Sequence, residues 1–231
     1  MEAFDTVALF PMKLESERIK GKNFRNFCGQ PLFLWMLNRL LDESSIQKIL
    51  INTDARDKLS EFGIVDSEKI LIRDRSKHLC GHDVSMNLII EDDLNNISSQ
   101  SFLMTHVTNP LLSASSIKLA LSSYGRAIGQ GFDSLFSVNK FQTRFYDFHA
   151  HPINHNPDDL IKTQDLEPWF EENSNLYIFS KQSFFKTNSR IGEKPFMFET
   201  AKFESVDIDN PADWEFAEMS MRFILEGKAK L

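Results

Sequence analysis

The sequence predicts an α/β fold: a mostly parallel, Rossmann-like sheet flanked by helices on both faces. Three observations carry this. Short apolar runs of strand length alternate with amphipathic stretches as far as Asn139. Those runs end in polar residues, which is where an open α/β sheet binds ligands. The alternation then stops, and an aromatic stretch rich in His, Asn and Pro follows, with no helical period.

The elements justify themselves in order. Thr6–Phe10 (TVALF) reads as a buried strand. Pro31–Ser44 reads as a helix, with proline in its first turn and apolar residues at Leu34, Leu37, Leu40 and Leu41. Ile46–Asp54 is a second buried strand. A short helix, DARDKLSEFG, ends at Gly63, and EKILIRD is a third strand. Asp83–Ile97 is a helix, and at least one of Asp83, Ser85 and Asn87 is expected in its cap and first turn. Ser101–Val107 is a strand, SASSIKLALSSYGRA a helix, and Asp133–Asn139 a strand. Residues 140–172 form a hairpin or extended excursion. Ser174–Lys181 returns to strand. FESVDIDNPADWEFAEMSMRFIL supplies a last strand and a C-terminal helix that starts at Asn210-Pro211. The whole chain, 1–231, is expected to form one domain.

Composition narrows the function. A net charge of −7 argues against an overall electrostatic grip on nucleic acid, so any polyanion must meet a local basic patch. Most of the 21 phenylalanines are expected in the core or at an interface. No run approaches the ~18 apolar residues of a membrane span, and the N-terminus lacks the pattern of a signal peptide. Cys28 and Cys80 share no metal-ligand spacing, which suits a reducing compartment. The expectation is a cytoplasmic protein without nucleic-acid or membrane partners. His78, His82, His149, His151 and His155 have no recognised zinc spacing and are read as non-metal.

The residues just after each strand carry the chemistry. They are Lys13 to Asn23, Asn52 to Asp54, Arg73 to Arg75, Thr105 to Pro110, and the pair Asp207 and Asp209. Cations neutralise phosphate oxygens, and paired carboxylates hold a divalent metal that bridges phosphates. The first loop, FPMKLESERIKGKNF, is not a Walker A loop, because Ser16 stands where its first glycine belongs and Asn23 follows Lys22. Nor is it a GxGxxG dinucleotide turn. Taken alone it could be a solvated basic turn, and Asp207 and Asp209 an acidic cluster at a helix N-terminus, a role that Asp213 fits better.

The loop nevertheless resembles the signature loop of the sugar-nucleotide cytidylyltransferases, the family of the CMP-sialic acid (acylneuraminate) and CMP-KDO synthetases. Pro11, Ser16, Arg18, Gly21, Lys22 and Asn23 match. INTDARDKLSEFG, IRDRSKHLCGHDVSMNLII, HVTNPLL, DSLFSV, KTQDLEPWFEENSNLYIF and ESVDIDNPADWEFAE resemble six further family segments in the family's order. The likeness runs from Val7 to Met219. It implies transfer of CMP from CTP to a 2-keto-3-deoxy sugar acid, with Mg²⁺ as cofactor.

By the same resemblance, Lys13, Ser16, Arg18, Lys22, Asn23 and Arg75 would bind the nucleotide. His106, Thr108, Gln164, Asn173 and Tyr177 would face the sugar. Asp207 and Asp209 would hold the metal, and Lys22, Arg18 and Asp209 would act in catalysis. The excursion would reach across a homodimer. The chain departs from the family at Lys13, where an arginine is usual, and at Leu14-Glu15, Glu17, His106, Val107 and Leu112. A non-catalytic nucleotide-sugar-binding relative is the alternative, and the missing glycine fingerprint argues against a dinucleotide-dependent oxidoreductase.

Overall fold

Strand side chains alternate between two apolar faces here, and both faces are roofed. Val7 and Leu9 enter one buried cluster, while Ala8 and Phe10 enter another. Successive side chains of a strand point to opposite sides, so such a sheet needs helices above and below it. The computed structural model describes residues 5–81 and 83–228. The chain's first four and last three residues and His82 therefore lie outside the described residues.

The strands are β1 (Thr6–Leu9), β2 (Asn26–Phe27), β3 (Gln30–Pro31), β4 (Ile46–Thr53), β5 (Ile70–Asp74), β6 (Ser101–Thr105), β7 (Ser134–Phe141), β8 (Trp169–Phe179) and β9 (Pro195–Glu199). The helices are α1 (Leu32–Asp42), α2 (Arg56–Glu61), α3 (Met86–Asn96), α4 (Ala114–Gly129), α5 (Lys181–Thr187) and α6 (Pro211–Leu225). Seven strands form one sheet in the order β5-β4-β1-β6-β8-β7-β9. Strands β5, β4, β1 and β6 pair in parallel, as do β7 and β9. Strand β8 runs antiparallel to both of its neighbours. The mostly parallel sheet expected from the sequence is present.

Helix α1 buries Leu32, Phe33, Met36, Leu37 and Leu40, a stripe at helical spacing. Each such side chain contributes roughly 1.5–3 kcal/mol by leaving water. It shares its cluster with Ile117 and Ala120 of α4 and with Trp214 and Ala217 of α6. Ile90 and Leu94 of α3 and Phe184 of α5 cover the other face. The helix starts follow their caps. Ser85 Oγ accepts from Asn87 N, and Ser113 Oγ accepts from Ser116 N. Asn210 and Asp213 form a reciprocal capping box at the start of α6.

Some expectations change. Phe203–Asp209 is not a strand: it is a turn followed by extended coil, tied to the sheet side by Ile208 N donating to Thr108 O at 2.9 Å. Strand β8 begins at Trp169, five residues before the expected Ser174, because its first half pairs with the far end of β7. Strand β9 and helix α5 add to the expected elements. Many phenylalanines are in the core, while Phe148, Phe216 and Phe223 are exposed on this chain.

Candidate active site

Beyond Leu9 the chain stays beside β4. Phe10 N donates to Leu50 O at 2.8 Å and Met12 N to Asn52 O at 3.0 Å. Leu14 N then donates to Asp54 Oδ1 at 2.7 Å, and the Lys13 carbonyl accepts from Asn23 Nδ2 at 2.7 Å. The loop is thus closed on itself by one buried asparagine. Gly21 turns it back with φ of 61°, a left-handed conformation that suits glycine. A 3₁₀ turn, Lys22–Phe24, follows at once. It delivers Lys22 Nζ to Ile208 O at 2.6 Å, so the basic loop meets the segment before α6.

Between them lies a cleft of about 280 Å³ at the carboxyl ends of β1, β5 and β6. Its walls include Lys13, Ser16, Arg18, Lys22, Asn23 and Arg75, all six residues expected to bind a nucleotide. His106, Thr108 and Asp209 line it too, and Met12, Val84, Met86 and Ile89 supply an apolar wall.

The charges are arranged against one another. Arg18 reaches Asp209 at 2.9 Å, and Lys22 lies 3.9 Å from the same carboxylate oxygen. The Lys22 side chain is 12% exposed. Burial pushes its pKa down, and nearby Arg18 and Lys13 add to this, while Asp209 and Asp207 pull it back up. Arg75 donates from Nε to Asn52 Oδ1 at 2.8 Å and from NH2 to Asn52 O at 2.8 Å and Met12 O at 3.2 Å. Burial pushes its pKa down as well.

Asn52 is itself oriented by donating to Asp93 Oδ1 at 2.6 Å. A buried chain Asp93–Asn52–Arg75 therefore aims the arginine. Arg73 does not face the cleft; it pairs with Asp92 at 2.7 Å and Asp93 at 2.9 Å. Burial, with the charges of Arg190 and Lys22, pushes the His106 pKa down to about 3. One part of this residue faces the cleft, and it does so as a neutral imidazole.

Asp207 stands behind Asp209. Burial raises its pKa, and a hydrogen bond with Thr108 partly opposes this. Its Oδ1 is buried without a hydrogen-bond partner. Such an orphaned carboxylate oxygen, next to a second carboxylate, fits a hard cation with oxygen ligands. The protein supplies two carboxylates there, so phosphate or water oxygens would complete the shell. Among the described residues no group of three or more His, Cys, Asp or Glu side chains is placed to hold a metal. His149, His151 and His155 lie in the excursion, where His151 pairs with Asp147 and His155 with Tyr146.

Three residues expected at the sugar do not reach this cleft. Gln164 is exposed in a 3₁₀ turn of the excursion, where its carbonyl accepts from Gln142. Asn173 is buried and donates to Asn139 Oδ1 at 3.0 Å and Thr200 Oγ1 at 2.7 Å. Tyr177 is buried in the second cluster, with its hydroxyl donating to Glu172. Its phenol is pushed well above the usual range by burial. A second hollow lies beside the cleft and shares Met86 with it; Ser85, Asn87, Glu172, Ser189, Arg190 and Ile191 complete its lining. Sequence reading missed Arg190, which sits in the polar loop TNSRIG without a motif around it.

A cleft lined by a basic, glycine-turned loop at the strand ends of an α/β sheet suits a nucleotidyltransferase. The cytidylyltransferase family pattern matches residues 7–229, and the chain belongs to that family. It is 26% identical to the CMP-N,N'-diacetyllegionaminic acid synthase of Legionella pneumophila, over 93% of this chain and 95% of that protein. It is 27% identical to N-acylneuraminate cytidylyltransferase A of Danio rerio, over 93% of this chain and 50% of that one. The chain thus spans about half the length of the N-acylneuraminate cytidylyltransferases it matches. A solved CMP:2-keto-3-deoxy-manno-octonic acid synthetase complexed with CTP shares the fold, with a TM-score of 0.66 and 13% identity, over 94% of this chain and 98% of that one. So does the 4-diphosphocytidyl-2C-methyl-D-erythritol synthase of Anaerococcus prevotii, at 0.68 and 11%, over 96% and 100%.

Proposed function

We propose that this chain transfers CMP from CTP to a 2-keto-3-deoxy sugar acid of the sialic-acid type, releasing pyrophosphate. The observation that carries this is the convergence of Lys13, Arg18 and Lys22, from one loop, with Asp209 on a single cleft at the strand ends. The named relatives, which include a CMP-sugar synthase and N-acylneuraminate cytidylyltransferases, support the donor and the acceptor class.

In this reading the anomeric hydroxyl oxygen attacks the α-phosphorus, and the bond to the bridging oxygen breaks as pyrophosphate leaves. The hydroxyl proton passes to a carboxylate; Glu17 and Asp209 both line the cleft, and Asp209, beside Lys22, is the one assigned this role. Lys22, Lys13 and Arg18 offset charge on the phosphates. Catalysis of this kind is positioning plus electrostatics, with little covalent work for the protein. Asn23 and Arg75 lie on the wall assigned to the nucleoside. Neutral His106 and Thr108 offer uncharged hydrogen-bonding groups to the sugar. Asp207 and Asp209 would hold Mg²⁺, which would neutralise charge on the triphosphate.

We place the working unit as a homodimer and the protein in the cytoplasm. The exposed apolar residues of the excursion and its border, Tyr146, Phe148 (97% exposed), Ile153, Leu160, Trp169 and Phe170, support the first. Two free cysteines suit the second. Among the described residues no helix is long and apolar enough to cross a membrane.

The test is pyrophosphate release with CTP, Mg²⁺ and a panel of sugar acids, run beside ATP, GTP and UTP. Lys22→Ala and Asp209→Asn should each lose at least tenfold in turnover. Unchanged turnover in both variants would sink the assignment, and a purine preference would overturn the cytidylyl part of it.

A further inference from the structure

The hollow beside the cleft is built around one cation. Arg190 is the single Lys or Arg in its lining, and its side chain is 20% exposed. Its guanidinium carbon sits 3.9 Å from the centroid of the Tyr177 ring, a cation–π contact that holds the group over the ring face. Its one hydrogen bond runs from NH2 to Glu172 Oε1 at 3.3 Å, long for a charged pair. That oxygen also accepts from Tyr177. A guanidinium carries five donors in a fixed fork, so most of this fork is uncommitted.

The backbone that carries Arg190 is pinned. Glu193 N and Lys194 N donate to the Asp133 carboxylate at 2.9 and 3.0 Å, and Gly192 N donates to Ser134 Oγ at 2.8 Å. Residue 192 must be glycine for this, since a Cβ there would overlap the Asp133 carboxylate and the Ser183 hydroxyl. Thr187 Oγ1 contacts the carbonyls of Ser189 and Ile191 from the other side. A rigid fork, held on the sheet edge and over a buried tyrosine, is preorganised for a planar anion.

We propose that Arg190 is the specificity-determining residue that binds the carboxylate of the sugar-acid substrate, in the hollow that borders the nucleotide cleft at Met86. This rests on the cytidylyltransferase reading above. The substrate's carboxylate takes the free face of the guanidinium, while Glu172 and Tyr177 hold the other. Its sugar ring then lies toward His106, whose imidazole feels the charge of Arg190.

The test compares wild type with Arg190→Gln, Arg190→Lys and Glu172→Gln. The probes are N,N'-diacetyllegionaminic acid, an N-acylneuraminic acid and the methyl ester of each, with CTP and Mg²⁺. Arg190→Gln is expected to raise KM for the better acid at least twentyfold while KM for CTP moves less than twofold. It should also abolish the preference for acid over ester. Arg190→Lys, which keeps the charge and loses the fork, should recover part of that preference. Glu172→Gln, which frees the guanidinium, should lower the acid KM. An unchanged acid-over-ester preference in Arg190→Gln overturns the proposal, and so does an equal loss for acid, ester and CTP. If wild type turns over no sugar acid with CTP, the functional reading has failed instead. A circular-dichroism melt within 3 °C of wild type is required of each variant, and Arg190→Lys carries the comparison if Arg190→Gln does not meet it.

Discussion

Replacing Lys22 with methionine separates the stability of the fold from its chemistry. The side chain is 12% exposed, and its one hydrogen bond runs to Ile208 O at 2.6 Å. Methionine matches its length and apolar stem but removes the charge. Loss of a charged hydrogen bond costs about 1.5–3 kcal/mol. Burial already disfavours the ammonium, as the downward direction of its pKa shows, so removing the charge returns much of that cost.

The two effects oppose each other, and the net change in folding free energy should stay within about 1 kcal/mol, the scale of an ordinary substitution. The chemical loss has no such offset. A preorganised donor aimed at developing charge supplies about 10²–10³ in kcat, or roughly 2.7–4 kcal/mol. Urea denaturation measures the first quantity, and pyrophosphate release with CTP and a sugar acid measures the second. A variant that loses more than about 2 kcal/mol of stability and keeps its kcat would refute the reasoning, because Lys22 would then be a structural lysine.

Two further outcomes follow from the same residues. Asp93 is buried beneath Asn52, and burial pushes its pKa from 3.8 up to about 6. An acid with a raised folded pKa binds its proton more tightly in the folded state. Stability should therefore fall as pH climbs from about 4 to about 6, by roughly 3 kcal/mol from this group. Asp93→Asn should flatten that decline in urea melts taken across the range; an equally steep decline would remove Asp93 as its source. Gly192→Ala should cost about 1–3 kcal/mol by overpacking against Asp133, read as a shift in urea midpoint, and an unshifted midpoint would show that the loop can give way.

Much of the fold was legible because period carries it. The strands β1, β4, β5 and β6 and the helices α1, α3, α4 and α6 show their faces in the order of their apolar residues. The first loop was legible too, since Lys13, Ser16, Arg18, Lys22 and Asn23 lie within eleven residues and fold as one unit. Phe203–Asp209 misled for the same reason. Its alternating Val206, Asp207, Ile208, Asp209 reads as a strand, but buried Ile208 anchors a segment that brings Asp209 to the cleft and leaves Asp207 behind it.

Residues far apart along the chain are another matter. Gln164, Asn173 and Tyr177 follow segments that resemble the family's, yet one ends in the exposed excursion and two are held by Thr200, Asn139 and Glu172. Arg190 shows the converse.

Sequence by itself determined the class of sheet and the basic loop after its first strand, because local periodicity and short-range turns encode them. Only the tertiary structure decided that β8 runs against its neighbours, that Asn52 and Asp93 aim Arg75, and that Arg190 lies over the Tyr177 ring. Those facts depend on which strand edges meet and which polar groups are left unpaired once the core has closed. No short stretch of chain contains that information.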